Sequence, residues 1–283
     1  MKVVSNTDPQ AKELLSTVSE TIAAQAEAMG FPFWIVAEDS DPVGVIAMGR
    51  EPIALLAPAG TPMAVIDLVD VKRPIASLKD FASEALRLTA ENHAEYAVVT
   101  LDSGEAEAID CFVRVGFREL SDSYGMVLQL DREIDCPKSL DFKKAGREEM
   151  LKWTELASEF LTGSPDEVLA LMVENMSALP KSFLDMIYSM CEFHFVNKGQ
   201  QTVGILEINV GDGKVVNIGV DPSLRGKGYG RQAMLFGLKL LKRTGCRQAT
   251  LRVHVENKAA VRLYRSLGFT VNERQKTLMW RAQ

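Results

Sequence analysis

Seven residues, Arg225, Gly226, Lys227, Gly228, Tyr229, Gly230 and Arg231, join the β-patterned run "VVNIGV" to the helix-patterned run "QAMLFGLKLLKR". Glycine permits positive φ and removes the side-chain wall, so consecutive amides can turn toward one concavity. The helix that follows adds its unpaired N-terminal amides and the positive end of its dipole. The chemistry favoured by this arrangement is retention of a diphosphate, with Lys227, Arg225 and Arg231 as supporting cations. Two familiar phosphate loops fit badly. A P-loop needs Gly-Lys followed by Ser or Thr, which is absent. The dinucleotide fingerprint needs GxGxxG in the first strand–helix unit of its domain, and this loop follows the third or fourth strand of its series.

The elements that must position such a loop are legible as two series. The first holds an Ala/Glu-rich helix over 9–29, a hairpin around Asp39–Asp41, the strand "MAVIDLVDV" and a helix capped by Ser77. The strand "YAVVTLD", a helix ended by Gly116 and the strand "YGMVLQLD" follow. Residues 131–140, charged and aperiodic, read as a linker. The second series opens with helices at 147–161 and 164–177, the latter capped by Ser164 with Pro165 in its first turn. Three strands then run to "VVNIGV" through turns at Lys198–Gly199 and Gly211–Gly213. The glycine loop, a helix over 230–244, the strand "ATLRVHV", the helix "NKAAVRLYRSLG" and the strands "FTVNER" and "KTLMWR" close the chain. At an offset of 152 residues, "AIDCFVRVGF" falls on "AVRLYRSLGF" and Arg73 on Arg225. The shared element order points to a duplication.

Composition bounds the function. A hydrophobic content of 47% supports a buried core rather than disorder. The polar N-terminus and the lack of a long apolar run predict neither signal peptide nor membrane span. Four dispersed cysteines predict free thiols in a reducing cytoplasm, and three isolated histidines predict no metal site. Residues 1–140 carry 11 basic against 23 acidic side chains, a net −12, while residues 141–283 carry 21 against 15, a net +6. The basic excess shares its half with the glycine loop, which favours a small anionic ligand. The acidic total and the lack of aromatic-interleaved basic runs argue against nucleic acid.

"VDPSLRGKGYG" resembles the acetyl-CoA loop of the GNAT acetyltransferase superfamily, and "LRVHVENKAAVRLYRSLGF" resembles its second signature. That signature has a strand ending in an Asn that opens a helix, with a Tyr four residues before Gly-Phe. The resemblance implies an α/β protein of two tandem GNAT-like domains, 1–130 and 141–283. Each would hold a mixed, mostly antiparallel twisted sheet flanked by helices, with a splayed parallel strand pair in the C-terminal copy. It also implies that amides from Arg225 to Gly230, with Arg231, hold the CoA diphosphate, and that Ile218, Gly219 and Val220 offer backbone partners to pantetheine. Gly219 would mark a bulge at the splay or simply a close packing contact. Asn257 matches the family's pantetheine-binding Asn and also suits a helix N-cap. Tyr264 matches the family's general acid, and its stripe with Ala260, Val261 and Leu267 turns it toward the sheet. It equally suits a core tyrosine with a structural hydrogen bond.

The implied reaction is acyl transfer from acetyl-CoA to an amine of a small molecule or protein. A strand amide near Val220 polarises the carbonyl and Tyr264 protonates sulfur. Glu207 is the candidate base, unless strand alternation puts it on a solvated face; Asn217 is placed to hold a water, and His194 is a weaker candidate. Trp153, Phe160, Met172 and Met176 lie on helices where the family builds its acceptor pocket, and also read as helical core. In the first copy Pro74, Ala76 and Leu78 replace the three loop glycines, Glu105 replaces Asn257 and Phe112 replaces Tyr264. Proline lacks the amide proton and phenylalanine the phenol, so this copy reads as degenerate, without CoA binding. Two alternatives stand beside the N-acetyltransferase: a non-catalytic acyl-CoA-binding regulatory module, and an acetyltransferase similar to mycothiol synthase, a tandem GNAT whose active copy is C-terminal.

Overall fold

The computed structural model describes residues 1–15, 22–51, 56–69, 72–137, 139–175, 179 and 181–282. Two compact units form, interleaved along the chain: residues 1–52, 57–122 and 274–283 make the first, and 53–56 with 123–273 the second.

The first unit contains β1 (Lys2–Ser5), α1 (Gln10–Leu15), α2 (Ile22–Met29), β2 (Phe33–Glu38), β3 (Asp41–Arg50), β4 (Pro62–Leu68), α3 (Ile75–Glu91), β5 (Tyr96–Asp102) and α4 (Ala106–Arg114). The strand β6 (Arg118–Gln129) begins here, and the last strand, β12 (Thr270–Arg281), ends here. Its strands run β1-β2-β3-β4-β5-β12. The β2–β3 hairpin turns through Asp39 and Ser40, both at positive φ, where short polar side chains are tolerated. β3 is buried along most of its length. Its alternate residues from Val45 onward join two clusters, Ile46 and Met48 with Phe81 of α3, Val45 and Ala47 with Ala23 and Ala26 of α2. A strand covered on both faces reads as a near-continuous apolar run, as "PVGVIAM" does.

The second unit contains β7 (Asp141–Lys144), a 3₁₀ turn over Arg147–Glu149, α5 (Met150–Phe160), α6 (Glu167–Asn175), α7 (Lys181–Met190), β8 (Glu192–Lys198), β9 (Gln201–Asn209), β10 (Lys214–Val220), α8 (Tyr229–Arg243), β11 (Gln248–His254) and α9 (Lys258–Ser266). Its strand order is β6-β11-β10-β9-β8-β7. Met234, Leu238 and Leu241 of α8 cluster with Leu206 and Ile208, while Trp153 and Phe160 of α5 cluster with Phe193, Phe195 and Ile205. The Trp153 Nε1–H donates to the His194 carbonyl at 3.2 Å, tying α5 to β8. Each unit is thus a mixed, largely antiparallel sheet with helices on its faces.

The duplication is visible in the elements. β4 and β10, β5 and β11, α4 and α9, and β6 and β12 each begin and end 152 residues apart. Several expectations are corrected. The helix expected over 9–29 is two helices, α1 and α2, with residues 16–21 outside the described residues. Ser77 is not the cap of α3, which starts after Pro74; the Ser77 hydroxyl instead donates to Glu38. β1, β7 and α7 carry little signal in the sequence, because four-residue strands and a helix lacking strong caps leave little periodicity. The two closing strands are one, β12, whose residues 275–281 pair antiparallel with β5 in the first unit. Residues 123–129 of β6 pair with β11 in the second unit. The units therefore do not divide at 131–140. Strand alternation specifies which face is buried but not which strand lies alongside.

Candidate active site

β10 and β11 are parallel, and their register holds a single pair, Lys214↔Thr250. Beyond it they part. The cause lies on the other edge of β10, where pairing with β9 slips between Val215 and Asn217. One extra residue at Val216 bends the strand away from β11, as a bulge does. The bulge is therefore at Val216 and not at Gly219, which pairs regularly with Ile205. Gly219 is a packing glycine: a Cβ there would lie 2.9 Å from Phe160 Cβ and 3.1 Å from Ile205 Cγ1.

The parted strands open a cleft of about 600 Å³. Ile218 and Val220 line one wall, Arg252, Val253 and His254 the other, and Gly226, Gly228, Gly230 and Arg231 close one end. Gly226 and Gly228 have φ of 80° and 83°, with nothing within 4 Å of a notional Cβ. Gly228 is the left-handed N-cap of α8, so the first amides of that helix are presented without a side chain over them. Tyr229 contributes only main chain here, since its buried ring packs in the core and its hydroxyl accepts from Lys198 Nζ at 3.0 Å.

Arg225 plays a part the sequence did not reveal. Its Nη2 donates to the carbonyls of Phe160 (3.0 Å) and Thr162 (2.9 Å), and its Nε to that of Val220 (3.3 Å). The guanidinium fork ties the end of α5 to the end of β10 and so fixes the mouth of the cleft, leaving less of its charge for a phosphate. Arg231 donates to Ser266 Oγ at 2.8 Å while lining the cleft. Lys227 is exposed and outside the cleft lining.

Asn257 caps α9, its Oδ1 accepting from Ala260 N at 3.2 Å. It also lines the cleft, with Nδ2 free to donate, so both expected roles coexist. Tyr264 lines the cleft one helical face along, its ring 6.0 Å from that of Phe269. No protein group among the described residues hydrogen-bonds its hydroxyl. Burial pushes the phenol up to about 12, so it stays protonated through the physiological range.

Glu207 is buried and does not sit on a solvated face. It does not line the cleft either. Its Oε2 accepts from Asn217 Nδ2 at 2.6 Å, and Asn217 does line the cleft. On its far side Glu207 meets the Cys191 thiol. Burial raises its pKa, against the lowering effect of the bonds from Asn217 and Cys191. The sequence offered no signal for Cys191, whose pairing exists only once β8 lies beside β9. His194 is packed against Phe236, 5.2 Å between ring centres, away from the cleft lining. Among the acceptor-side candidates, Phe160 reaches the cleft, Trp153 is core, Met172 is half-buried and Met176 lies outside the described residues; Leu169, which the sequence did not single out, also lines the cleft.

The corresponding region of the first unit is closed. β4 and β5 stay in parallel register over four pairs, Met63↔Tyr96 to Ile66↔Val99, and β3–β4 pairing runs without a bulge. At the start of α3, Glu38 accepts from Ser77 Oγ at 2.7 Å and pairs with Arg73, the counterpart of Arg225. A protein carboxylate thus sits at the helix N-terminus.

A parted parallel strand pair above a glycine loop and a helix N-terminus is the arrangement that the resemblance implies. Residues 153–269 match the model of the Acetyltransferase (GNAT) family. That stretch lies within the second unit, and the chain folds as two GNAT-like halves. Mycothiol acetyltransferase of Thermobispora bispora is 53% identical over 58 residues, 20% of either chain. That of Actinosynnema mirum is 47% identical over 78 residues, 28% of this chain and 23% of the relative. The matches thus span about a fifth of these curated relatives' length. Among solved structures, a GCN5-related N-acetyltransferase from Sphaerobacter thermophilus shares the fold over 99% of this chain and 95% of its own, with a TM-score of 0.63 at 15% identity. A tandem GNAT protein from the clavulanic acid biosynthesis pathway does so over 100% and 99%, with a TM-score of 0.60 at 15% identity.

Proposed function

We propose that the protein is an N-acetyltransferase that moves the acetyl group of acetyl-CoA to an amine of a small molecule or protein by direct attack, with one active site in the second unit. The observation that supports this most is the single-pair register of β10 and β11 above a cleft that holds a phenol with no hydrogen-bond partner among the described residues. A sheet edge left unpaired on both strands costs hydrogen bonds, and an extended pantetheine arm would supply them.

The residues present fit that ligand. Main-chain amides from Gly226 to Gly230, with Arg231, would hold the diphosphate, and the β10 edge at Ile218 and Val220 with Asn257 would hold pantetheine. Bound acetyl-CoA supplies an activated acyl group as a thioester. A main-chain amide near Val220 polarises the thioester carbonyl. Tyr264 keeps its proton until sulfur needs it: a phenol held near 12 donates to a departing thiolate without ionising beforehand. Glu207 takes the acceptor's proton through a water beside Asn217. A regulatory acyl-CoA-binding module would need the loop and the open strands but not a free phenol, so Tyr264 favours the enzyme.

Calorimetric titration with acetyl-CoA tests the binding half, and thiol release across a panel of amines tests the transfer half. Absence of acetyl-CoA binding to pure, folded protein would remove the proposal.

A further inference from the structure

The helices divide the two faces of the sheet around the cleft. Val253 of β11 clusters with α8 and with Tyr264 of α9 on one face. On the other, a Cβ at Gly219 would meet Phe160 of α5. Arg252, next to Val253 in the strand, therefore points to the α5 face, away from Tyr264. The charged side chains that line the cleft, among the described residues, are Asp166, Arg225, Arg231 and Arg252. Three of them have other partners. Asp166 accepts from Val168 N at 3.0 Å at the start of α6, Arg225 clamps three carbonyls, and Arg231 sits at the glycine-loop end beside Ser266. Arg252 stands elsewhere, two residues past the last β10–β11 pair, Lys214↔Thr250, and across the opening from the bulge at Val216.

Contacts from behind fix this guanidinium. Nη2 donates to Glu273 Oε1 at 2.6 Å and Nη1 to Ser123 Oγ at 3.4 Å. The Glu273 side chain passes over Gly125, the residue beside Arg252 on β6, where a Cβ would collide with Glu273 Cγ. Only glycine at 125 leaves that path open. Nε has no protein acceptor among the described residues and is not one of the buried orphan atoms, so it is open to solvent. Glu273 thus holds the fork in one plane and leaves Nε–H, with unspent Nη hydrogens, for a ligand.

We propose that Arg252 binds a carboxylate of the acceptor, so that the compound acylated here is a small amine bearing a carboxylate a few bonds from its nitrogen. This rests on the acyltransferase reading above and narrows its acceptor. With Tyr264 serving sulfur from the α9 face, the nucleophile has the α5 face, and Arg252 lines that side of the cleft. A guanidinium pairs with a planar carboxylate through charge-assisted N–H···O bonds. Glu273 already offsets part of the Arg252 charge. That suits a singly charged carboxylate better than a phosphate dianion, which Glu273 on the same fork would repel. A charge-assisted bond of this kind is worth roughly tenfold to hundredfold in affinity.

The test uses CoA conjugates as probes. S-carboxymethyl-CoA is joined as an amide to glycine, β-alanine or 4-aminobutyrate, and each conjugate is compared by calorimetry with its terminal carboxamide. Members of a pair have the same shape and differ in the anionic group. The wild type is expected to bind the acid at least about tenfold more tightly than the carboxamide at one or more of these lengths, and the ratio should fall to near one in Arg252→Gln. Because the readout is a ratio within each protein, a general loss of affinity in the variant cancels. Absence of an acid preference at every length in the wild type overturns the proposal without recourse to any variant, as does a preference undiminished in Arg252→Gln. Unmodified CoA and acetyl-CoA separate the two readings. If they bind and the acid preference is missing, the carboxylate assignment alone falls; if they do not bind, the acyltransferase reading falls and this assignment with it.

Discussion

In the proposed transfer, burial acts on Tyr264 as the acid and on Glu207 as the base. The phenol, held near 12, remains a donor across the working range. Tyr264→Phe is expected to lower kcat by about 10²–10⁴-fold with a smaller change in KM for acetyl-CoA, the usual span for a positioned acid. An alkaline limb from Tyr264 in the pH profile would appear only near 12. For Glu207 the shift has the same sign but bears on the acid limb. Its pKa is raised by burial, so the carboxylate form is lost as pH falls through a value above the ordinary carboxylate range. The acid limb of kcat/KM should therefore lie higher than about 4.3, the unperturbed value for Glu, and Glu207→Gln should abolish that limb. A profile unchanged in Glu207→Gln would remove Glu207 from the proton path.

The glycine loop and the Arg225 clamp act as elements, through backbone shape. Gly226 and Gly228 occupy left-handed conformations with open space beyond. Alanine at either position meets no protein atom, so its cost in stability is backbone strain alone, about 1–3 kcal/mol. The methyl group would stand where a phosphate is expected, so affinity for acetyl-CoA should fall further than stability does. Thermal melts set beside calorimetry of Gly228→Ala would separate the two effects. Arg225→Ala frees three carbonyls and unties α5 from β10, and binding should weaken at every salt concentration. Arg225→Lys restores charge but not the fork. If it recovered full affinity, direct charge contact with phosphate would be the better account of this residue.

At the scale of the molecule, the first unit takes its closing strand segment from the far end of the sequence. Residues 274–283 carry Leu278 and Met279, both buried, the β5 pairing and the Arg274 fork on the buried Asp122 carboxylate at 2.8 and 2.6 Å. Removing them should expose the edge of β5 in the first unit while the β10–β11 cleft, which uses none of them, is retained. Hydrogen exchange should then show faster exchange over 96–102 and unchanged protection over 203–208. The closed β4–β5 register in the first unit also predicts one acetyl-CoA per chain by calorimetry. A stoichiometry of two would contradict the assignment of a degenerate copy.

Much of this was legible in the residues themselves. Glycines at 226, 228 and 230 specify a backbone that few other residues adopt, and Asn257 and Tyr264 are spaced by the helix they share. Their meaning is local, so linear order carried it, and the losses at Pro74, Ala76, Leu78, Glu105 and Phe112 were visible for the same reason. Pairing across strands was not legible. The bulge at Val216 rather than Gly219, the Arg225 clamp on Phe160 and Thr162, the Cys191–Glu207–Asn217 line and the exchange of β6 and β12 depend on which segments meet. A period of two dictates which side chains face inward but is silent about the neighbour, and only long-range contact decides that.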